Sequence, residues 1–276
     1  MRGLFRLLSH VPLWLLHAVG WILGWLVFIV SATYRGRFVD HARQAGIGFA
    51  QWRGAVGSAG QLVTELPRLW FGLPVPIQWA GAHHISQALA VGRGVIFLTP
   101  HMGCFEATAQ AYATRFGSKH GPITVLFRPA RQAWLRGLVD SARSRPGLVT
   151  APTTLAGVKQ MMKALKAGRA IGLLPDQVPP LGMGIWVPFF GQSAYTMSLA
   201  VRLAQQTGAQ VILAWGERLA WGRGYRVHLE SLTQPLAEQL DTAVAQINTA
   251  MEHLIRRCPQ QYLWAYARYK APRQEV

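Results

Sequence analysis

Apolar and polar residues follow two different spacings along most of the chain, one typical of strands and one of helices. Short continuous apolar runs predict buried strands. They are "GVIFLTP", "PITVLF", "AIGLL" and "QVILAW", followed by "YRVHLE". Helical spacing recurs between them, in "GCFEATAQAYATRFG", "RQAWLRGLVDSARSR", "TTLAGVKQMMKALKAG" and "MSLAVRLAQQTG", and then over about Leu240 to Arg257. Apolar strands that alternate with helices are typical of an α/β fold with a largely parallel central sheet and helices on both faces.

The N-terminus has a different pattern. Val11 to Ala32 carries no formal charge and, at about 22 residues, is long enough to cross a bilayer as a helix. Arginines lie on both sides of this run, which suits anionic headgroups. A secretory signal peptide is the rival interpretation, because "VSA" precedes Thr33 as a cleavage site would, but the apolar run exceeds the usual signal core. We therefore predict an uncleaved membrane-anchoring helix within residues 1–40, with a second domain over residues 41–276.

Composition narrows the functional classes. Hydrophobic residues make up 51% of the chain, which excludes a disordered protein, and 28 Lys and Arg against 11 Asp and Glu give a net charge of +17. This excess attracts nucleic acid, anionic lipid or acidic substrates. The 11 Trp residues fit either stacking on single-stranded nucleic acid or anchoring at a membrane interface. Two cysteines, Cys104 and Cys258, make no disulfide framework, so a reducing compartment is expected.

One stretch, "TPHMGCFE", brings a histidine and a carboxylate to the end of a predicted strand. Residues five apart on one helix point about 140° away from each other, so His101 must lie in the turn and Glu106 in the first helical turn for the two to meet. Glu106 would then orient His101 as a general base. In the alternative interpretation, Glu106 only complements the helix dipole. Asp176, in "LLPDQ", also follows a strand, where sites in such sheets lie.

Two other chemistries are weaker interpretations of this stretch. Cys104 lies three residues from His101 and is the one candidate nucleophile for a covalent intermediate. No second His or Cys stands at ligand spacing, so no metal is expected. The spacing alone is unspecific, since nine His and 11 acidic residues produce such a pair by chance in about a third of chains of this length.

Four stretches occur in order along the chain: "HMGCFE", "FRPARQ", "LLPDQ" with "VPFFGQSAYT", and "QYLWAYARYK". Together they resemble the late acyltransferases of lipid A biosynthesis, within the wider glycerolipid acyltransferase group that shares His-x4-Asp/Glu. The resemblance covers most of the chain. It implies that residues 41–276 are an acyltransferase catalytic domain, and that the enzyme moves a fatty acyl chain from acyl carrier protein to a hydroxyl of a lipid A precursor.

The resemblance also assigns roles to residues. His101 matches the general base and Glu106 its charge-relay partner, while Asp176 and Gln177 match the "DQ" of the family. Arg128 matches an arginine of the pattern, and Arg143 and Arg145 compete for a second arginine position. With Arg131, these arginines would bind the phosphates of a sugar-bearing acceptor, because guanidinium binds phosphate bidentately. The chain departs from the family between His101 and Glu106, where the family often has Asn or another polar residue.

The implied setting is the cytoplasmic face of a bacterial inner membrane, with anionic lipids as further partners. A thioester is already activated, so no cofactor is expected. Backbone N–H groups near Met102 and Gly103, or a nearby arginine, would stabilise the oxyanion, and "MGIWVPFF" is a candidate wall for the acyl chain. The same pair would also serve a lysophospholipid or aminolipid acyltransferase. A basic, membrane-tethered nucleic-acid-binding protein is the distant alternative, and it gives no reason for the His-Glu pair.

Overall fold

The computed structural model describes residues 2–127, 137 and 145–274. Its strands are β1 (Ile77–Ala80), β2 (Val95–Leu98), β3 (Ile123–Phe127), β4 (Leu148–Pro152), β5 (Ala170–Leu173), β6 (Gly184–Phe189), β7 (Gln192–Met197), β8 (Gln210–Arg218) and β9 (Tyr225–Ser231). Seven of these described strands form one sheet in the order β1-β9-β8-β2-β5-β3-β4. Every pairing in it is parallel except β8 with β9, and β6 and β7 form a separate antiparallel hairpin. The predicted fold class is confirmed.

Helices cover both faces of the sheet. They are α1 (Arg2–Leu8), α2 (Leu13–Val30), α3 (Ala32–Gln44), α4 (Phe49–Thr64), α5 (Leu66–Phe71), α6 (His83–Ala90), α7 (Phe105–His120), α8 (Leu155–Lys166), α9 (Leu199–Thr207) and α10 (Leu240–Arg257). Side chains of a strand alternate between faces. Val95 and Phe97 of β2 accordingly pack under α6 and α7, whereas Ile96 and Leu98 belong to the larger core beneath α8, α9 and α10.

The apolar helix α2 packs along α4. Glycines allow a close approach: a Cβ on Gly24 would lie 2.2 Å from the Val56 carbonyl oxygen, and one on Gly60 would lie 1.9 Å from the Gly20 carbonyl oxygen. Gly20 and Gly24 form a GxxxG spacing, and this GxxxG of α2 therefore packs against a helix of the same chain. Within the described ranges, α2 is also the one helix long and apolar enough to cross a membrane, with a third of it buried.

The structure corrects one predicted element and leaves another outside its range. The sequence predicts helical structure from Tyr34 to Trp79, but strand β1 begins at Ile77, within the last three residues of that stretch. The "VPFFGQSAYT" motif forms most of the β6–β7 hairpin. Thr154 occupies the N-cap of α8, yet its side chain makes no capping hydrogen bond. The helix predicted over "RQAWLRGLVDSARSR" lies outside the described residues, apart from Gly137 and Arg145.

Candidate active site

Two neighbouring strands deliver the central pair of side chains. β2 and β5 are paired in parallel, with Leu98 opposite Leu173, so their carboxyl ends lie side by side. The chain after β2 carries His101 and the chain after β5 carries Asp176. His101 Nδ1 lies 2.6 Å from Asp176 Oδ1, and the His101 backbone N–H donates to Asp176 Oδ2 at 2.8 Å. Both carboxylate oxygens are thus held by one residue.

This hydrogen bond fixes the chemistry of the imidazole. A carboxylate only accepts, so Nδ1 carries the proton and Nε2 keeps a lone pair. Among the residues that the structure describes, none forms a hydrogen bond with Nε2. The His101 side chain is 17% exposed whereas that of Asp176 is 1% exposed, so the carboxylate is sealed behind the ring. The arrangement is that of a general base with a buried orienting acid.

Asp176 is ionised despite its burial. Burial alone would raise its pKa, but the charge and hydrogen bonds of His101, and then the charge of Arg268, outweigh it and hold the pKa of Asp176 below its ordinary value. Arg268 is itself 2% exposed and donates to Thr196 Oγ1 at 2.5 Å. Tyr262 lies in the same surroundings, where burial and then the charge of the Asp176 carboxylate raise the pKa of its hydroxyl. The buried surroundings therefore keep a negative charge behind the imidazole.

Glu106 is predicted to orient the His101 imidazole, and in the structure the carboxylate that contacts the ring is that of Asp176. Glu106 does lie in the first turn of α7, as expected. Its charge acts on Arg145: burial lowers the pKa of Arg145, and the Glu106 carboxylate offsets part of that shift. The physical reason is the strand order, because β2 and β5 are neighbours and the segments after them, with His101 and Asp176, lie side by side. The catalytic role of Glu106 remains a prediction.

The predicted substrate-binding residues are only partly described. Arg128, Arg131 and Arg143 lie outside the described residues. Arg145 donates to Gln110 Oε1 at 2.9 Å and to the carbonyl oxygens of Leu69 and Trp70, which places it beside α7 one turn from Glu106. Gln177 is half-buried next to Asp176. Asp176, which the sequence predicts with Gln177 as a substrate-binding residue, contacts His101, and its part in substrate binding stays a prediction.

Cys104 does not fit the role of a nucleophile. It is fully buried, and its pKa is raised well above the ordinary value, first by burial and then by the charge of Glu65. A thiol must ionise to attack, and this surrounding keeps it neutral. Across the described part of the chain, no group of three or more His, Cys, Asp or Glu side chains is arranged to hold a metal ion.

The turn after His101 uses its own N–H groups. Met102 N–H donates to the Pro100 carbonyl at 2.7 Å and Gly103 N–H to the Gln261 carbonyl at 2.9 Å. Both amides that were predicted to stabilise an oxyanion are therefore engaged with protein acceptors. An arginine, the second donor predicted for this role, stays a prediction.

An apolar cavity opens beside the imidazole. It lies between α7 and the sheet, and Phe105, whose ring centroid is 5.2 Å from that of His101, stands between them. Its lining is almost entirely apolar and comes from six strands and from helices α6 and α7, including Phe97, Ala109, Tyr112, Val125 and Leu173. The predicted wall "MGIWVPFF" lines a different part of the molecule, where Phe189 and Phe190 are buried in the larger core.

The sequence of the chain matches a known protein family over most of its length. The profile of the family described as bacterial lipid A biosynthesis acyltransferase matches residues 54–271, which is most of the chain. The protein belongs to this family. It is an acyltransferase, and a lipid A acylation function follows from the membership.

Several proteins named as lipid A acyltransferases are moderately similar to this chain. A lipid A biosynthesis lauroyltransferase of Escherichia coli K12 is 27% identical over 219 residues, covering 77% of this chain and 69% of the relative. A palmitoleoyltransferase of the same organism is 24% identical with the same coverage. An acyltransferase of Haemophilus influenzae is 24% identical over 187 residues, 68% of this chain and 57% of the relative. The two Escherichia coli relatives are named for different acyl chains, so the family membership leaves chain length open.

Proposed function

We propose that this lipid A acyltransferase transfers a fatty acyl chain from acyl carrier protein to a hydroxyl of a lipid A precursor at the cytoplasmic face of the inner membrane. The observation that carries the proposal is the hydrogen bond of 2.6 Å from His101 to the buried Asp176. It prepares one imidazole nitrogen to accept a proton at the edge of the sheet. Acyl transfer from a thioester to a hydroxyl needs such a base, because the alcohol is a poor nucleophile until its proton leaves.

The proton moves from the acceptor to His101 and then to the leaving group. His101 Nε2 takes the proton of the acceptor hydroxyl while the hydroxyl oxygen attacks the thioester carbonyl. Asp176 stabilises the imidazolium that forms, as a buried carboxylate does in other acyl-transfer enzymes. When the tetrahedral intermediate collapses, the C–S bond breaks and the proton returns to the leaving carrier thiolate. The ester and the free carrier thiol are the products, and no electron is gained or lost.

The cavity beside Phe105 suits the acyl chain. Its lining gives no charged group that would penalise a hydrocarbon, and one lining residue, Phe105, contacts the His101 ring. Burial of each methylene there contributes about 0.8 kcal/mol. The cavity supports an acyl-binding role, and the wall predicted from "MGIWVPFF" stays a separate prediction.

Filling this cavity should shorten the acyl chain that the enzyme prefers. Ala109 of α7 lines it, so Ala109→Leu removes space needed by the end of a long chain. We expect kcat/KM for the longest accepted chain to fall about 10- to 200-fold while shorter chains are affected less. The measurement is a series of acyl-carrier substrates from decanoyl to palmitoyl. Thr114→Leu, on the exposed face of the same helix, is the control and should leave the series unchanged.

The charge and the apolar helix support the proposed partners. A net charge of +17 suits an acidic carrier protein and phosphorylated acceptors. Helix α2 leaves an apolar surface uncovered, with Ile22, Ile29 and Val30 each at least 65% exposed. Arg35 follows it and donates to the Phe28 and Ile29 carbonyls. A lipid environment would cover this surface at no cost in unsatisfied polar groups.

The test is a transfer assay with purified protein in detergent. Labelled acyl-acyl carrier protein is supplied with a tetra-acylated, sugar-bearing lipid A precursor, and a lysophospholipid runs in parallel. We expect label on the lipid A precursor, absent with His101→Ala. Transfer to the lysophospholipid alone would keep the base and overturn the acceptor. Transfer that survives in folded His101→Ala would overturn the mechanism.

A further inference from the structure

Backbone hydrogen bonds to β8 and to Gln261 hold the turn that carries His101. Gly103 adopts a φ of +58°, and a Cβ at this position would lie 2.0 Å from the Gly216 carbonyl oxygen of β8. Its N–H donates to the Gln261 carbonyl, and the next residue, Cys104, donates to Gly216. Only a glycine fits a left-handed residue pressed so closely on a strand. The position of His101 therefore depends on what fixes the end of β8.

The end of β8 carries a buried arginine that reaches the same turn. Arg218 Nη2 donates to the Gly103 carbonyl at 3.2 Å, and its Nη1 donates to Ser58 Oγ of α4 at 2.7 Å. Nε and Nη2 also donate to the two oxygens of Glu65, both at 2.7 Å. One guanidinium thus joins the turn, α4 and the residue between α4 and α5. Because the fork is planar and bidentate, the carboxylate sets its orientation.

Glu65 connects this arginine to the apolar helix. Its side chain is fully buried, and Oε2 accepts from the Tyr225 hydroxyl at 2.8 Å. The same oxygen lies 3.0 Å from Nε2 of His17, on the buried face of α2. We call these residues the Glu65 network: His17, Ser58, Glu65, Arg218 and Tyr225. A continuous chain of hydrogen bonds leads from α2 through this network to Gly103, two residues from His101.

We propose that Arg218 is a positioning residue for acyl transfer, and that the Glu65 network ties the placement of His101 to the seating of α2. A buried ion pair adds little net stability over a well-packed apolar pair, but it permits a single geometry. Here that geometry ends on the carbonyl of the turn that carries the base. The inference rests on the proposed function, since its kinetic effect is on that reaction.

The test compares two buried tyrosines that each lose only a hydroxyl. Tyr225→Phe removes one hydrogen bond to Glu65, whereas Tyr195→Phe removes an acceptor for the Gly182 and Gly184 amides in the hairpin. Arg218→Lys is the third variant, because it keeps the charge and loses the fork. Melting temperatures are measured for each, and kinetics are run well below them.

Two readouts separate positioning from stability. We expect Tyr225→Phe and Arg218→Lys to lower kcat roughly tenfold or more with KM little changed, since a misplacement of about 1 Å costs on the order of 100-fold. The downfield NMR signal of the His101 Nδ1 proton, identified by its loss in Asp176→Asn, should shift in both. Tyr195→Phe should move neither readout. The proposal is overturned if, in all three variants, kcat and the proton signal change only in proportion to the fall in melting temperature. Arg218 would then have a structural role only.

The NMR readout also separates this proposal from the function it rests on. A wild-type protein that transfers no acyl group overturns the proposed function. A proton signal that is unmoved in Tyr225→Phe and Arg218→Lys still overturns the positioning role, and a shifted signal still supports it, whichever acceptor the enzyme uses.

Discussion

Asp176→Asn should lower kcat by roughly 10³- to 10⁴-fold while the protein stays folded. The amide has the size of the carboxylate but no charge, so it neither stabilises the imidazolium nor requires the proton to sit on Nδ1. The lone pair of Nε2, which must accept the hydroxyl proton, is then present in only part of the molecules. The measurement is single-turnover transfer from the acyl carrier, which isolates chemistry from product release.

Glu106→Gln is the matched comparison, since it makes the same carboxylate-to-amide change one turn into α7. We expect the NMR signal of the His101 Nδ1 proton to persist in Glu106→Gln and to vanish in Asp176→Asn, because Nδ1 lies 2.6 Å from Asp176. A signal lost in Glu106→Gln and retained in Asp176→Asn would show that Glu106 orients the base after all. Wild-type kcat in Asp176→Asn would remove the aspartate from the mechanism.

Glu65→Gln should cost about 3–5 kcal/mol of the free energy of unfolding, because it leaves the Arg218 guanidinium buried without its counter-charge. The two residues are among the most buried charged groups of the described chain, with side chains 0% and 3% exposed. Removal of one partner therefore strands a charge in an apolar interior. The measurement is chemical denaturation in detergent, followed by tryptophan fluorescence.

Glu230→Gln provides the control for that experiment. Glu230 pairs with Arg257 at 2.6 Å, a distance as short as those in the Glu65 network, but both side chains are partly exposed. Solvent screens such a pair, so its loss should cost less than about 1 kcal/mol. Equal losses in the two variants would mean that burial does not set the strength of the Glu65 pair.

The Glu65 carboxylate also makes the stability of the protein sensitive to acid. Burial favours the neutral acid, but Arg218 and His17 outweigh it and hold the pKa of Glu65 at about 2 instead of 4.5. A lowered folded-state pKa adds stability that is complete above pH 4.5 and is lost as the pH falls from 4.5 toward 2. The loss is on the order of 3 kcal/mol. It should be missing in Glu65→Gln, where Arg218, His17, Cys104 and Tyr225 still face the site.

The sequence was sufficient to place His101 but not its partner. An apolar run that ends in "TPH" predicts a strand end, and the structure puts His101 there. The choice between Glu106 and Asp176 depends on which strands are neighbours in space. β2 and β5 are adjacent although β3 and β4 lie between them in the chain, and no local pattern reports that order. The signal that could have found the pair was present, since both residues follow buried strands.

Long-range contacts account for the other differences. The GxxxG of α2 was compatible with packing against any helix, and only the glycines of α4 show that the partner lies in the same chain. Glu65 and Arg218 are 153 residues apart, and neither stands in a motif. Arg268, close to Asp176, belongs to the quoted "QYLWAYARYK", but nothing in the letters distinguishes it from a surface arginine. Helix bounds fared better, because the repeat along a helix is local: Leu240 to Arg257 agrees at both ends.

The position of β2 in the sheet has a consequence for biosynthesis. β2 is flanked by β5 on one side and β8 on the other, and both are synthesised well after it. The N-terminal part of the chain, with its apolar helix, leaves the ribosome first. The hydrogen bond of His101 to Asp176 therefore forms only after 75 further residues have been synthesised. Strand β2 gains its second neighbour only when β8 has been added. A nascent chain that stalls before Asp176 therefore carries α2 and His101 but lacks the carboxylate that holds the imidazole in the folded protein.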